Sequence, residues 1–376
     1  MPLTLAATPA PRHVSTADYF AGYAGTRLVS APAAARWLTW AETDIASSPS
    51  LRALGVKTLL YTDPNRAMKG QPEFTAQQST FARDCAGAPI ETNRPGQFLM
   101  DPNSAALRAL WKRHVDRYVA AGRFDAVFED DANTIAYARG QPCGYDAAAW
   151  LQATIAMQRS LGYPIVYNGL ANVAGAAVSP SIALNATAIG GMMEQCYSGT
   201  AAQPLLSQTR WIAAETTELR MASERKLFFC YGNDTTPADR ALERRLYVDA
   251  SFLLSYDPSY SILWEYYEGR SRFHVMPEAQ LVPLRPAAAL RSVDALRSPT
   301  GVYQRTYAAC YVAGVDRGRC TIAVNPTLQP LSLALPEYTR TLTLAGGGIL
   351  DGGSVRIGTA RPPAQLAPLG AVIAFR

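Results

Sequence analysis

Six short strand-like runs recur between residues 36 and 275, separated by polar or helical stretches, and no other feature restricts the fold as much. They cover residues 57–61, 125–128, 164–167, 189–193, 226–231 and 260–264. Each reads as a strand buried on both faces, and such strands belong to parallel sheets whose crossovers are helices. Helical periodicity fills the gaps at 103–121, where Leu107, Leu110, Trp111, Val115 and Tyr118 recur on one face ahead of Gly122, and again at 146–161. A third helix is expected over 237–254, because Thr236-Pro237-Ala238-Asp239 supplies a cap, a proline at the first helical position and an acid in the first turn. Some seven or eight strand–helix units predict an α/β chain with a (β/α)8 TIM-type barrel over residues 1–284.

Beyond residue 285 the texture changes. Segments 302–324 and 342–376 alternate Thr, Val and Leu between Gly and Pro breaks, with Gly346-Gly347-Gly348 and Gly352-Gly353 as turns. That pattern predicts a small antiparallel β-sandwich over 285–376, joined through residues 283–299.

Composition narrows the function classes. With 376 residues, 48% hydrophobic, the chain can bury a barrel-sized core and a small second domain. Only 17% of residues are charged, without long runs, which argues against disorder and coiled coil. The net charge of +5 is scattered, with no basic stripe interleaved with aromatics, so no nucleic-acid partner is expected. No apolar stretch reaches the length of a membrane-spanning helix. Six cysteines, at 85, 143, 196, 230, 310 and 320, form no C-x-x-C pair and no metal-ligand spacing. Cys310 and Cys320 bracket a hairpin centred near Val315, which brings them to disulfide distance. The even set suggests a secreted or periplasmic protein with up to three disulfides, the alternative being buried thiols of a cytosolic one. The short Ala- and Pro-rich start, residues 1–12, is consistent with the remnant of a replaced signal peptide.

Barrel active sites gather at the carboxyl ends of the strands. Those positions carry Tyr61-Thr62-Asp63-Pro64-Asn65, Glu129-Asp130-Asp131-Ala132-Asn133, Tyr167-Asn168-Gly169, Glu194-Gln195-Cys196-Tyr197, Tyr231-Gly232-Asn233-Asp234 and Trp264-Glu265-Tyr266-Tyr267-Glu268. Carboxylates and amides bind sugar hydroxyls, and aromatic rings stack on the apolar faces of sugars. The expected ligand is therefore a carbohydrate, with Tyr61, Asp63, Glu129, Asn168, Tyr197, Tyr231, Asn233, Trp264, Glu265 and Tyr266 as candidate binding residues, alongside Tyr167 and Tyr267.

Three acids in a row after residues 125–128 would repel one another if all were buried and ionised, so at least one should bind a ligand or hold its proton. Strand alternation sets Phe128 and Asp130 on one face, Glu129 and Asp131 on the other. Glu194 is the natural second carboxylate. Gly190-Gly191 before it would leave space beside the barrel axis, and Met192, Met193 and Tyr197 would desolvate it and favour its protonated form. Glycosidic cleavage needs one carboxyl protonated and one ionised.

The run Phe-Asp-Ala-Val-Phe-Glu-Asp-Asp-Ala-Asn at 124–133 resembles the F-D-G-V-F-x-D-N strand end of barrel glycoside hydrolases, including endo-α-galactosaminidase-like families and, more distantly, the α-galactosidase and dextranase groups. In the latter groups the nucleophile is an Asp ending the fourth strand and the acid/base a carboxylate at the sixth. The resemblance thus implies Asp130 as nucleophile, Glu194 as acid/base, and a retaining mechanism. Asp131 stands where the family often has Asn, which leaves Asp130 and Asp131 as rival nucleophiles. A non-catalytic carbohydrate-binding barrel and an inverting glycosidase are the alternatives. No cofactor or metal is called for: G-x-S-x-G, H-E-x-x-H, a Walker loop and G-x-G-x-x-G are all missing from the sequence. His114 falls within a helix, and His274 follows the last strand.

Overall fold

The computed structural model describes residues 11–21, 29–69, 78–132, 135, 138–170, 178–200, 203–234, 242–267, 275–345, 354–357 and 361–376. Strands β1 (Ala17–Phe20), β2 (Trp40–Thr43) and β3 (Lys57–Thr62) are followed by the short pair β4 (Arg66–Met68) and β5 (Gln97–Leu99). Next come β6 (Ala126–Glu129), β7 (Ile165–Leu170), β8 (Gly190–Glu194), the small hairpin β9 (Ser198–Thr200) and β10 (Gln203–Leu205), then β11 (Leu227–Asp234) and β12 (Ser261–Tyr267). Eight of them form one sheet in the order β1-β2-β3-β6-β7-β8-β11-β12. Neighbours pair in parallel from β1 to β11, and helices alternate with the strands. The sheet curls into a nearly closed TIM-type barrel, as the strand spacing predicted.

Contact density divides the chain into two compact units, one of Ala17–Glu194 and Arg220–Tyr231, the other of Met1–Thr16, Gln195–Leu219 and Gly232–Arg376. In the first, the Ala105–Gly122 helix opens where Ser104 Oγ accepts the Leu107 N–H at 3.2 Å, and closes on Arg123 in the left-handed conformation. It buries Leu107, Trp111 and Val115 of the expected stripe, while Leu110 and Tyr118 stay half-buried. Each fully buried side chain of this kind contributes about 1.5–3 kcal/mol. Trp111 Nε1 also donates to Thr62 Oγ1 at 3.2 Å, which pins the helix to the end of β3. The Ala147–Leu161 helix begins on Asp146, whose side chain accepts the Ala149 N–H at 2.7 Å, and stops at Gly162 with φ 77°. Cys85 and Cys143 form a disulfide in this unit.

Among the described residues, the helix Gln208–Ser223, which the sequence had not singled out, lies in the second unit as far as Leu219, and Leu242–Ser255 overlaps the expected third helix; residues 237–241 lie outside those described. Downstream runs an antiparallel set: β13 (Leu281–Pro286), β14 (Tyr303–Val312), β15 (Val315–Asp316), β16 (Cys320–Asn325), β17 (Leu331–Ser332), β18 (Arg340–Ala345), β19 (Ser354–Ile357), β20 (Gln365–Leu366) and β21 (Gly370–Phe375). The main sheet has the order β13-β14-β16-β21-β18-β19 with β15 on β14, and β17 pairs β20 separately. Strand β13 opens at Leu281, two residues ahead of the segment expected to be a connector. The β14–β15 hairpin turns on Ala313 and Gly314, with φ 51° and 80°, the left-handed pair of a type I′ turn. Cys310 pairs across with Arg317 and Gly318 rather than with Cys320, yet the two cysteines are disulfide-bonded at a Cα separation of 6.0 Å. No cysteine is free, so all six are oxidised. Among the described residues no helix is long and apolar enough to cross a membrane.

Candidate active site

Adjacent strands β3, β6, β7 and β8 end side by side, and the residues just past them line a cavity of about 840 Å³. Tyr61 and Asp63 come from β3, Asp130 and Asp131 from β6, and Glu194 from β8. Asn168 of β7 joins them through its side-chain amide. Its Nδ2 donates to Asp130 Oδ1 at 2.7 Å and to Glu194 Oε1 at 3.1 Å.

Among the described residues, Asp130 receives three donors. Tyr61 Oη donates to Oδ2 at 2.7 Å, and Oδ1 accepts the Asp131 N–H at 2.9 Å besides the Asn168 amide. The backbone is fixed as firmly: the Asp130 N–H donates to the Thr62 carbonyl at 2.9 Å, and Asn65 Nδ2 donates to the Asp130 carbonyl at 2.7 Å. Glu194 opens onto the cavity rather than being enclosed. The weakly polarisable walls around it, followed by the Asp130 charge, raise its pKa above the usual carboxylate range, against the Asn168 hydrogen bond, Arg66 and Arg94. Of its three expected neighbours only Met192, two residues back on the same face, lines the cavity with it. Met193 and Tyr197 are fully buried, and the Tyr197 hydroxyl donates to Glu218 at 2.8 Å.

The expected space beside Gly190-Gly191 is filled. A Cβ on Gly191 would meet the Tyr167 ring at 2.6 Å, and one on Gly190 would meet the Leu227 carbonyl oxygen at 2.5 Å. These glycines admit neighbouring protein atoms and not a ligand. Gly169 serves the site more directly, because a Cβ there would lie 2.5 Å from the Ala132 carbonyl oxygen. Its absence lets the Ala132 N–H reach the Asn168 carbonyl at 2.7 Å, which holds the turn after Asp130 against β7.

Strand alternation predicts Asp130 and Glu129 correctly and misplaces Asp131. Glu129 faces the helix layer, fully buried, accepting from Gln158 Nε2 at 2.6 Å and from Asn65 Nδ2 at 3.4 Å. Burial raises its pKa to about 7, and it offers no oxygen to a ligand. Asp131 adopts φ 53°, which ends the alternation and swings its carboxyl into the cavity, 2.9 Å from Arg66 Nη1. Burial and the neighbouring Asp130 charge push its pKa up to about 7, against the pull of Arg66. Asp63 accepts the N–H groups of Asn65 and Arg66 at 3.2 and 3.0 Å, and burial with the charges of Asp131 and Asp130 raises its pKa well above normal. Asp63, Asp130 and Asp131 place carboxylate oxygens within 4.8 Å of one another, the spacing a bound cation needs, and Arg66 already brings one positive charge to the group.

The expected aromatic platforms largely turn out to be packing. Tyr167, Tyr197 and Trp264 are 0% exposed, so none offers a ring face to a sugar; Tyr167 instead donates to Asn185 at 3.0 Å. Tyr231 is 7% exposed and hydrogen-bonds Tyr19, and it is Tyr19 that lines the cavity. Tyr61 remains partly exposed, stacked on Phe128. The side chains of Asn233, Glu265, Tyr266 and Tyr267, and residues Asn133, Glu268 and His274, lie outside those described. His114 also lines the cavity. Sequence reasoning missed Tyr19, Glu42, Arg66 and Arg94, and named Asn65 only within the run that follows β3. Tyr19 and Glu42 sit on four-residue strands too short and too polar to be recognised, whereas Arg66 follows directly on Asp63-Pro64-Asn65 and was there to be read.

Residues 60–310 match the family model described as hypothetical glycosyl hydrolase family 15. No curated protein matches the chain. Among solved structures, the chain resembles the glycoside hydrolase domain of PelA from Pseudomonas aeruginosa at 11% identity and a TM-score of 0.49, covering 67% of this chain and 94% of that one. It also resembles Aspergillus fumigatus Ega3 in complex with galactosamine, at 15% identity and a TM-score of 0.44 over 70% and 94% of the two chains. The α-galactosidase TtGalA from Thermus thermophilus follows at 14% identity and 0.42, over 68% and 59%.

Proposed function

Because the chain belongs to hypothetical glycosyl hydrolase family 15 and is thus a glycosidase, we propose that it cleaves a poly- or oligosaccharide with retention of configuration, using Asp130 as nucleophile and Glu194 as acid/base. The observation that carries this is the donor the two carboxyls share. Legs of 2.7 and 3.1 Å from Asn168 Nδ2 cap the separation of Asp130 Oδ1 and Glu194 Oε1 at 5.8 Å. Retention needs carboxyl groups roughly 5–5.5 Å apart, and inversion roughly 6.5–9.5 Å, to admit the attacking water. That cap applies to the two facing oxygens, and oxygens so close are compatible with direct attack by a carboxylate.

The surroundings divide the roles. Three donors and no acceptor of this chain's described hydrogen bonds face Asp130, the setting an anionic nucleophile requires. Glu194 has the raised pKa of a proton donor. Asp131, the rival nucleophile, is ion-paired with Arg66 and has no amide linking it to Glu194, so it is assigned with Asp63 to holding sugar hydroxyls. Tyr61, Tyr19 and Arg94 complete the wall on which the sugar would rest. Six oxidised cysteines support an oxidising compartment and an exported enzyme.

Asp130→Asn and Glu194→Gln should each abolish hydrolysis of the polysaccharide found by screening bacterial and plant polysaccharides, while oligosaccharide binding stays near the wild-type level. Wild-type turnover by both variants would refute the assignment.

A further inference from the structure

The Asp130–Glu194 bridge consists of a single amide nitrogen, and an amide nitrogen carries two hydrogens and accepts none. We infer that Asn168 is a positioning residue for both half-reactions: it holds the Glu194 proton on Oε2, and one or the other of its two N–H groups faces the pair's single negative charge as that charge moves from Asp130 to Glu194. This rests on the assignment of those two residues as nucleophile and acid/base.

The geometry supports each part. Asn168 Nδ2 faces an oxygen of each carboxyl, and only the nitrogen end of the amide can do so without repulsion. Glu194 Oε1 is therefore an acceptor, and the proton of the neutral acid sits on Oε2, the oxygen left to reach a leaving group. The leg to Asp130 is the shorter, 2.7 against 3.1 Å, as expected when the charge rests on Asp130. The aim of the amide is built into β7. Asn168 pairs with Met192 but Leu170 pairs with Met193, so Gly169 is the extra residue of a bulge. Bulges redirect side chains at sheet rims. The Ala132 N–H, at 2.7 Å from the Asn168 carbonyl, then locks that bulge to the turn behind Asp130.

The bond changes show why one donor suffices. In the first half-reaction an Asp130 oxygen bonds to the anomeric carbon, the bond to the leaving oxygen breaks, and the Glu194 Oε2 proton passes to that oxygen. Asp130 is now a neutral ester and Glu194 a carboxylate. In the second, a water oxygen bonds to the anomeric carbon, its proton returns to Glu194, and the ester bond breaks to restore the Asp130 carboxylate. One negative charge is present throughout, and Asn168 donates to whichever oxygen holds it.

Asn168→Ala and the equally sized Asn168→Asp test the inference by two readouts. Carbon-13 NMR titration of the glutamate carboxyls, with Glu194 assigned through Glu194→Gln, needs no substrate. Removing a donor that lowers the Glu194 pKa should move its midpoint upward in Asn168→Ala, and further upward in Asn168→Asp, which adds a charge. On the polysaccharide substrate kcat should fall about tenfold or more with KM nearly unchanged, and the basic limb of kcat/KM should move upward with the midpoint. A midpoint and basic limb unchanged in both variants, with thermal stability as in the wild type, would overturn it. If Asn168→Ala is destabilised, Asn168→Asp carries the same test. Failure of the underlying assignment looks different: Glu194→Gln would keep wild-type turnover while the titration shifts persist.

Discussion

Glu129 and Asp130 are neighbours in sequence that face opposite sides of the barrel wall. Asp130 enters the cavity and meets Tyr61 and Asn168; Glu129 enters the helix layer and meets Gln158. Asn65 spans the two, donating to the Glu129 carboxyl and to the Asp130 carbonyl. The buried acid therefore steadies the backbone that aims the exposed one, and burial favours its protonated form.

That arrangement has a pH signature in stability. Glu129 has a pKa of about 7 when folded against 4.5 in its ordinary setting, raised by burial. Below about pH 4.5 both folded and unfolded chains carry the proton, and its contribution to stability is complete. As pH rises through 7 the unfolded chain has already released it, so the fold loses on the order of 3 kcal/mol. Glu129→Gln, neutral at every pH, should gain stability relative to wild type by about that amount between pH 5 and pH 8. Parallel urea-unfolding midpoints for the two proteins over that range would contradict this.

Tyr61→Phe keeps the ring on Phe128 and removes only the hydroxyl that donates to Asp130 Oδ2. A hydrogen bond to a charged group contributes about 1.5–3 kcal/mol. The variant should fold normally and lose about ten- to a hundredfold in kcat, with a much smaller change in KM. Steady-state kinetics within twofold of wild type would remove Tyr61 from the mechanism.

The barrel was legible because six of its eight strands carry largely apolar runs, and the Cys310–Cys320 bridge because it spans a hairpin. The acid triplet and Glu194 were legible as strand ends. What sequence could not supply was conformation at single residues. The left-handed φ of Asp131 overrides strand alternation, and the β7 bulge decides what Asn168 reaches. The Tyr167 ring occupies the volume that Gly191 seemed to free. Aromatics were the weakest guide, since Tyr167, Tyr197 and Trp264 look the same in sequence whether a ring meets a sugar or the core. Strands β1 and β2 escaped notice because four residues carry too little pattern, and Tyr19 and Glu42 went with them.

A double displacement by two carboxyls requires no metal, although Asp63, Asp130 and Asp131 have cation spacing. Dialysis against EDTA should leave the hydrolysis rate unchanged. A loss restored by calcium would show instead that the three aspartates hold a cation in the working enzyme.

The central claim is that Asp130 attacks the sugar directly, its carboxyl held within reach of Glu194 by Asn168. Proton NMR of the first sugar released from the cleaved polysaccharide, recorded before mutarotation, tests it most directly. The first-formed product should have the anomeric configuration of the bond that was cut; the opposite anomer appearing first would mean that water, and not Asp130, makes the attack.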